Sequence, residues 1–102
     1  MKEMAKVFIS GMMTDDLDNY KERFAACEKK LTERGLIVLN PAMLPGGMRP
    51  EDYMKICFAL IDVADIVYFM TGWQHSGGAA LEQHYCKYIG KNRKYESHEK
   101  QI

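Results

Sequence analysis

The residues best suited to chemistry lie between Gly72 and Glu82, a stretch that combines a glycine-rich turn with a carboxylate. It follows the apolar run 66–70 and opens a helical pattern. We therefore expect a turn from the carboxyl end of a strand into a helix, where open α/β sheets bind their ligands. Backbone N–H groups in such a turn, together with the helix N-terminus, favour an anion. Glu82 is the one ionisable carboxylate of the stretch, which makes it the first candidate for a catalytic residue.

Each feature of this stretch also has a simpler structural interpretation. Glu82 could be a residue of the helix start that only complements the helix dipole. Ser76, Gly77 and Gly78 could bind a sugar hydroxyl or a phosphate, or serve only as the turn before a helix. Trp73 could stack on a base, close the rim of the core or contact another subunit. The residues alone leave these alternatives open.

The composition predicts one soluble domain. The chain has 102 residues, of which 47% are hydrophobic and 27% charged, as expected for a single packed core. Fourteen Lys and Arg balance fourteen Asp and Glu, so no net basic field attracts nucleic acid or anionic lipid. The first residues lack the apolar segment of a signal peptide, and no run approaches the ~18 apolar residues of a membrane span. We expect a cytoplasmic protein.

The cysteines and histidines predict neither a disulfide nor a metal site. Cys27, Cys57 and Cys86 are odd in number, fall in helical patterns and form no Cys-x-x-Cys pair, so we expect reduced core residues. His75 and His84 form no His-x-x-x-His pair on a helix face. We expect no metal and no cofactor.

Hydrophobic periodicity predicts alternating strands and helices. Apolar β-favouring runs at 7–9, 36–39 and 66–70 suit buried parallel strands. The three intervening or following patterns are helical. The first helix is expected to use Leu17, Tyr20, Phe24, Cys27 and Leu31 as its buried stripe, with Thr14, Asp15 or Asp16 as cap and Gly35 as its end. The second begins at Pro50 with Tyr53, Cys57, Leu60 and Ala64 inward, and the third buries Leu81, Tyr85 and Tyr88 and ends at Gly90.

This order predicts a three-layer α/β/α sandwich with a parallel sheet, in which the first two strands are parallel neighbours. The loops 10–14, 40–41 and 72–82 then share one sheet edge and surround one cleft. We expect residues 1–96 to form a single domain. Residues 94–96 are either an edge strand or part of a disordered segment, and residues 97–102 form a charged tail.

The chain resembles a family of small bacterial and phage proteins of uncharacterised function, the DUF4406-like proteins, which are related to nucleoside 2-deoxyribosyltransferases. Residues 10–15 resemble the family's Ser-Gly-Pro-Met-Thr-Gly, with Met12 replacing the proline and Asp15 the glycine. Residues 64–82 resemble its Ala-Asp-strand-Gly-Trp-x-x-Ser-x-Gly-Ala-x-x-Glu pattern, and Asn40-Pro41 also fits. The resemblance implies a flavodoxin-like (Rossmann-like) fold of the deoxyribosyltransferase type.

The resemblance also implies cleavage or transfer at the N-glycosidic bond of a nucleoside or nucleotide. Glu82 matches the nucleophile of the enzymatic relatives, and Ser76 matches a position that is serine in the nucleotide hydrolases. An aspartate that the transferases use for the base has no counterpart, the nearest residues being Ile56 and Cys57. The expected substrate-binding residues are Ser10, Gly11, Met13, Asn40, Trp73, Ser76, Gly77 and Gly78. The relatives complete their sites across subunit interfaces, so we expect a homo-oligomer.

Three functions follow as hypotheses. The first is an N-glycosidase or 2-deoxyribosyltransferase-like enzyme in which Glu82 acts on C1′. The second is a nucleotide-binding or sensing module that has kept the cleft without catalysis, an interpretation favoured by the missing aspartate. The third is a structural oligomer in which Trp73 and the methionines serve assembly only.

Overall fold

The computed structural model describes residues 4–13 and 17–99. Strands and helices alternate along the chain as the periodicity predicts. Their order is β1 (Lys6–Ser10), α1 (Tyr20–Glu33), β2 (Ile37–Leu39), α2 (Pro50–Val63), β3 (Ile66–Phe69), α3 (Gly77–Ile89) and β4 (Asn92–Tyr95). Short 3₁₀ helices follow β2, β3 and β4 at Pro41–Met43, Trp73–His75 and Glu96–His98.

The four strands form one parallel sheet in the order β2-β1-β3-β4. Val7 in the central strand β1 lies opposite Val38 of β2 on one side and Ile66 of β3 on the other. The parallel pairing of the first two strands is therefore confirmed. At the far edge, Phe69 of β3 pairs with Tyr95 of β4, so residues 92–95 form a strand.

The helices cover both faces of this sheet. On one face, α1 packs the buried side chains of Phe24, Cys27 and Leu31 against Val7 and Ile9. On the other face, α2 and α3 pack against the alternate strand residues, and that core contains Phe8, Cys57, Ile61, Ala64, Val67, Phe69 and Cys86. The result is an α/β/α arrangement compatible with a flavodoxin-like sandwich. All three cysteines are buried with free thiols, as predicted.

The buried stripe of α1 differs from the prediction at its beginning. Leu17 is 71% exposed and lies in a turn, because the helix begins only at Tyr20 with Asn19 at its N-cap position. The predicted caps Thr14, Asp15 and Asp16 lie outside the described residues. The predicted end is right: Gly35 adopts a φ of 85° just after the helix, the left-handed conformation that glycine tolerates best.

Two predictions of burial are wrong. The strand β2 is not buried, since Ile37 is 44% exposed at the edge of the sheet, where pairing and helix cover come from one side only. The helix α3 buries a different face from the one predicted, although Tyr85 of the predicted face is partly buried against the core. Its buried residues are Ala79, Glu82 and Cys86, whereas Leu81 is 48% and Tyr88 88% exposed. Both faces carry apolar residues, and the inner side chains next to Glu82 are small.

The segment after β4 is attached to α1 by charged groups. Glu99 Oε1 lies 3.1 Å from the guanidinium of Arg34, and its Oε2 lies 3.6 Å from Lys30 Nζ. The rest of the predicted tail, residues 100–102, is outside the described part of the chain. Within residues 4–13 and 17–99, no helix is long and apolar enough to cross a membrane.

Candidate functional site

The candidate site lies where the strand order reverses. The chain leaves β1 toward β2 on one side, and β3 pairs with β1 on the other. The carboxyl ends of β1 and β3 therefore meet, and Met70 N–H donates to the Ser10 carbonyl at 2.8 Å. Such a switch point is the usual ligand site of an open α/β sheet.

Ser10 and Glu82 meet at this point. The Ser10 hydroxyl donates a hydrogen bond to Glu82 Oε1 at 2.6 Å. Ser10 is 1% and Glu82 6% exposed, and they are the buried polar residues of the described chain. Strand alternation directs Ser10 to the side of Phe8, the α2 and α3 side, which allows it to reach Glu82.

Glu82 lies in the second turn of α3, because the helix begins at Gly77. The interpretation of Glu82 as a helix-start residue that complements the dipole is therefore wrong, since that effect falls off within the first turn. Its position is instead explained by the spacing from Ala79 and Cys86, three and four residues away on the inward face. The carboxyl group is consequently directed into the core beside the sheet edge.

Burial sets the protonation of this carboxyl group. It raises the pKa of Glu82 from an ordinary 4.5 to about 7, while hydrogen bonds from the Ser10 hydroxyl and the Cys57 thiol act in the opposite direction. The neighbouring thiol responds as well: burial and the nearby Glu82 charge raise the pKa of Cys57 to about 12. Near neutral pH, Glu82 is therefore available in both its acid and its carboxylate forms, whereas Cys57 stays a neutral thiol.

The turn between β3 and α3, residues 71–76, leads the chain into the helix that carries Glu82. Gly72 has a φ of 89°, and a Cβ there would lie 3.2 Å from Met12 Cε, so both conformation and space favour glycine. Ser76 is the N-cap of α3, with its hydroxyl oxygen accepting from Ala79 N–H at 3.3 Å. Ser76 has at least this structural role.

The other glycines of the predicted site differ in their surroundings. Gly77 and Gly78 are exposed in the first turn of α3, where N–H groups have no acceptor within the helix. Gly11 is more confined, since a Cβ there would lie 3.2 Å from Met70 and 3.4 Å from Phe24. Gly77 and Gly78 can meet a ligand, whereas Gly11 allows close packing.

Trp73 is partly buried in an aromatic group at the rim of the core. Its ring centroid lies 5.3 Å from that of Phe69 and 5.8 Å from that of Tyr95. Phe69 and Tyr95 are themselves stacked at 5.3 Å. These contacts correspond to the core-rim interpretation of Trp73.

Two of the predicted binding residues lie on the α1 side of the sheet. The Asn40 side chain accepts from Ala42 N–H at 2.8 Å and donates to Glu28 Oε1 at 2.9 Å. Met13 packs against the core under α1. The structure thus brings Ser10 together with Glu82, but directs Asn40 and Met13 to the other face.

Sequence reasoning gave Cys57 only a place in the core stripe of α2. The structure adds its thiol to the surroundings of Glu82, through a hydrogen bond that lowers the pKa of the carboxyl group. No pattern in the sequence indicates this proximity, because it depends on how α2 and α3 pack against each other. Among the described residues, no group of three or more His, Cys, Asp and Glu could hold a metal ion.

These features define an α/β domain with a four-stranded parallel sheet and a buried serine–glutamate pair at its switch point. The chain belongs to the family described as a domain of unknown function (DUF4406), whose model matches residues 5–95. A comparison with curated proteins finds no match.

Proposed function

We propose that this protein is a nucleoside or nucleotide N-glycosidase, or a 2-deoxyribosyltransferase-like enzyme, in which Glu82 is the nucleophile. The main support is the hydrogen bond between Ser10 and Glu82 at the sheet's switch point, because buried carboxyl groups with a perturbed pKa cluster at functional sites. The start of α3 supports it further, because Gly77 and Gly78 are exposed in its first turn, where backbone N–H groups favour an anion.

The chemistry requires the carboxylate form of Glu82. A carboxylate oxygen attacks the anomeric C1′ and forms a C1′–O bond, while the C1′–N bond breaks and its electron pair leaves with the base, which takes up a proton from solvent. Water in a hydrolase, or a second base in a transferase, then attacks C1′ and loses a proton to solvent, while the bond between C1′ and the Glu82 oxygen breaks. In each case the Glu82 carboxylate is regenerated. The Ser10 hydroxyl holds one carboxylate oxygen and so orients the other.

A second candidate is a nucleotide-binding or sensing module with the same cleft. The observation that favours it is the burial of the carboxyl group. Glu82 is 6% exposed, and one of its oxygens accepts a hydrogen bond from Ser10. A group in this condition can respond to a ligand without forming a covalent bond. The cap formed by Ser76 agrees with this alternative, because its hydroxyl oxygen already accepts from Ala79 N–H.

Assembly into a homo-oligomer belongs to the same proposal. The outer face of α3 presents Leu81 and Tyr88, which are 48% and 88% exposed, and apolar helix faces of this kind support subunit contacts. A neighbouring subunit would add further side chains around the switch point. A purely structural oligomer is the third alternative, and it predicts assembly without nucleotide binding.

The deciding experiment uses a panel of ribo- and 2′-deoxynucleosides and their monophosphates. Free base is measured by chromatography and binding by calorimetry, with wild type, Glu82→Gln and the matched control Glu51→Gln, an exposed glutamate of α2. We expect base release by wild type and the control and none by Glu82→Gln. Binding without release would favour the sensing module, and neither binding nor release would contradict both.

A further inference from the structure

The carboxylate of Glu96 holds the 71–76 turn from outside. Its Oε1 accepts from the backbone N–H of Thr71 at 2.8 Å, and its Oε2 lies 3.2 Å from Lys30 Nζ. One side chain of the 3₁₀ helix after β4 therefore links the first residue of the turn to α1. Sequence reasoning had assigned Glu96 only to a candidate edge strand.

The other backbone hydrogen bonds of the turn are local. Ser76 N–H donates to the Trp73 carbonyl at 3.1 Å, and His75 N–H donates to the Gly72 carbonyl at 3.0 Å. Trp73 N–H donates to the Met70 carbonyl at 3.1 Å. Bonds between near neighbours fix the shape of the turn, while the ring contacts of Trp73 with Phe69 and Tyr95 hold its middle against the sheet. In the described part of the chain, the bond from Thr71 to Glu96 connects this backbone to a segment 25 residues away.

Glu96 is a charged acceptor. Burial opposes its ionisation, but the Thr71 N–H group and the Lys30 ammonium together lower the pKa of Glu96 below its usual value. Lys30 is itself fixed, since its Nζ also donates to the buried Tyr68 hydroxyl at 2.9 Å. A hydrogen bond to an ionised acceptor is stronger than one between neutral groups. Glu96 can therefore restrain Thr71 more firmly than a neutral side chain would.

We propose that Glu96 is a positioning residue for Glu82. By fixing Thr71, it fixes the turn that ends at the cap Ser76, and α3 begins directly after that cap. The helix then holds Glu82 in its buried position against Ser10. This role rests on the proposed function only for its effect on turnover, because the position of Glu82 can be measured without a substrate.

Glu96→Ala tests the proposal, and Glu99→Ala is the matched control. Glu99 pairs with Lys30 and Arg34 in the same network, but its bonds do not include Thr71. Two quantities are measured by nuclear magnetic resonance: hydrogen exchange of the Thr71 amide, and the titration midpoint of the Glu82 carboxyl carbon, assigned by comparison with Glu82→Gln. The titration distinguishes positioning from stability, since a uniformly destabilised fold would keep the midpoint of its native state.

In Glu96→Ala we expect hydrogen exchange of the Thr71 amide to be at least about tenfold faster. This is the change expected when one hydrogen bond to a charged acceptor is lost. We expect the Glu82 midpoint to fall from about 7 toward 4.5 as the carboxyl group gains solvent. Glu99→Ala should match wild type in both quantities. An unchanged midpoint in Glu96→Ala, or an equal shift in Glu99→Ala, would overturn the positioning role.

Glu96→Gln keeps an acceptor for Thr71 and removes the charge. It should restore the Glu82 midpoint and give intermediate Thr71 exchange. If Glu96→Ala does not fold, Glu96→Gln tests the proposal instead. Exchange of the Thr71 amide identical to that of wild type would contradict the role of the charged acceptor. The N-glycosidase function and the positioning role of Glu96 are tested by different measurements. A wild type that releases no base refutes the N-glycosidase, whereas the titration of Glu82 alone tests the role of Glu96.

Discussion

Ser10 and Glu82 are 72 positions apart in the chain, yet the hydroxyl of one lies 2.6 Å from a carboxyl oxygen of the other. The contact joins the carboxyl end of the central strand to the inward face of the last helix. Both residues are almost completely buried, so each depends on the other to satisfy its polar atoms. A change at either position should therefore be detectable at its partner.

Ser10→Ala should raise the pKa of Glu82 above its value of about 7. The hydroxyl donates to the carboxylate and so stabilises the charged form, while burial acts in the opposite direction. If the protein cleaves N-glycosidic bonds, the acidic limb of its kcat/KM profile should move to higher pH by the same amount. A carboxyl-carbon titration measures the first effect. A midpoint that stays the same or falls would show that the bond does not favour the carboxylate.

Cys57→Ala should also raise the pKa of Glu82, because the Cys57 thiol donates to the same carboxyl group. The matched control is Cys27→Ala, a buried thiol in the core under α1 on the opposite face of the sheet. Both substitutions remove a thiol from a core, so they should destabilise the fold to a similar degree. Only Cys57→Ala should move the Glu82 titration. Equal effects of the two would mean that general loosening of the core controls this pKa.

The contribution of Glu82 to the stability of the fold should fall as the pH rises from 4.5 to 7. The folded protein keeps the Glu82 proton in this range because its pKa is raised to about 7, whereas the unfolded chain releases it near 4.5. Above pH 7 both states are ionised and the loss is complete. Relative to Glu82→Gln, wild type should lose ~3 kcal/mol across this window, at about 1.36 kcal/mol per pKa unit. Urea unfolding at several pH values measures the difference.

The comparison of Glu51→Gln with wild type provides the control for this dependence of stability on pH. Glu51→Gln alters an exposed glutamate of α2, so its stability curve should parallel that of wild type between pH 4.5 and 7. A Glu82→Gln curve that runs parallel to wild type as well would contradict a buried, protonated carboxyl group at position 82.

Ser76→Ala should cost about 1 kcal/mol of stability through the loss of an N-cap. The Ser76 hydroxyl oxygen accepts from Ala79 N–H at 3.3 Å in the first turn of α3. Thermal unfolding of Ser76→Ala and Ser97→Ala, a control at an exposed serine, measures the difference. If Ser76→Ala also loses ligand binding while its helix content is unchanged, the residue contributes to the site in addition to capping.

Much of the scaffold follows from local sequence. Proline at position 50 begins α2, and glycines at 35 and 90 adopt the positive φ that ends a helix. Short apolar runs predict β1 and β3 because strands covered on both faces have no polar alternation. The meeting of Ser10 and Glu82 also follows in outline, since both were predicted at the same sheet edge. The helix ends and the strands are determined by residues close together in the chain, whereas the meeting of Ser10 and Glu82 follows from the predicted parallel arrangement of the strands.

The parts that sequence did not predict depend on tertiary orientation. The helix α3 has apolar residues on two faces, and only packing against the sheet selects the face with Ala79 and Cys86 over the face with Tyr88. The proximity of Cys57 to Glu82 depends on how α2 and α3 lie against each other. The bond between Glu96 and Thr71 depends on β4 pairing with β3. No periodicity within one element contains this information.

The order of the strands also has a consequence for folding. The central strand β1 is made first, but its neighbours come from residues 37–39 and 66–69, and the opposite edge from residues 92–95. Parallel pairings between such distant segments require large loops to close before contacts form, which slows folding. Ser10 can meet Glu82 only after β3 and α3 have been made. A chain that has not completed this process leaves the edges of β1 unpaired, and unpaired strand edges promote aggregation.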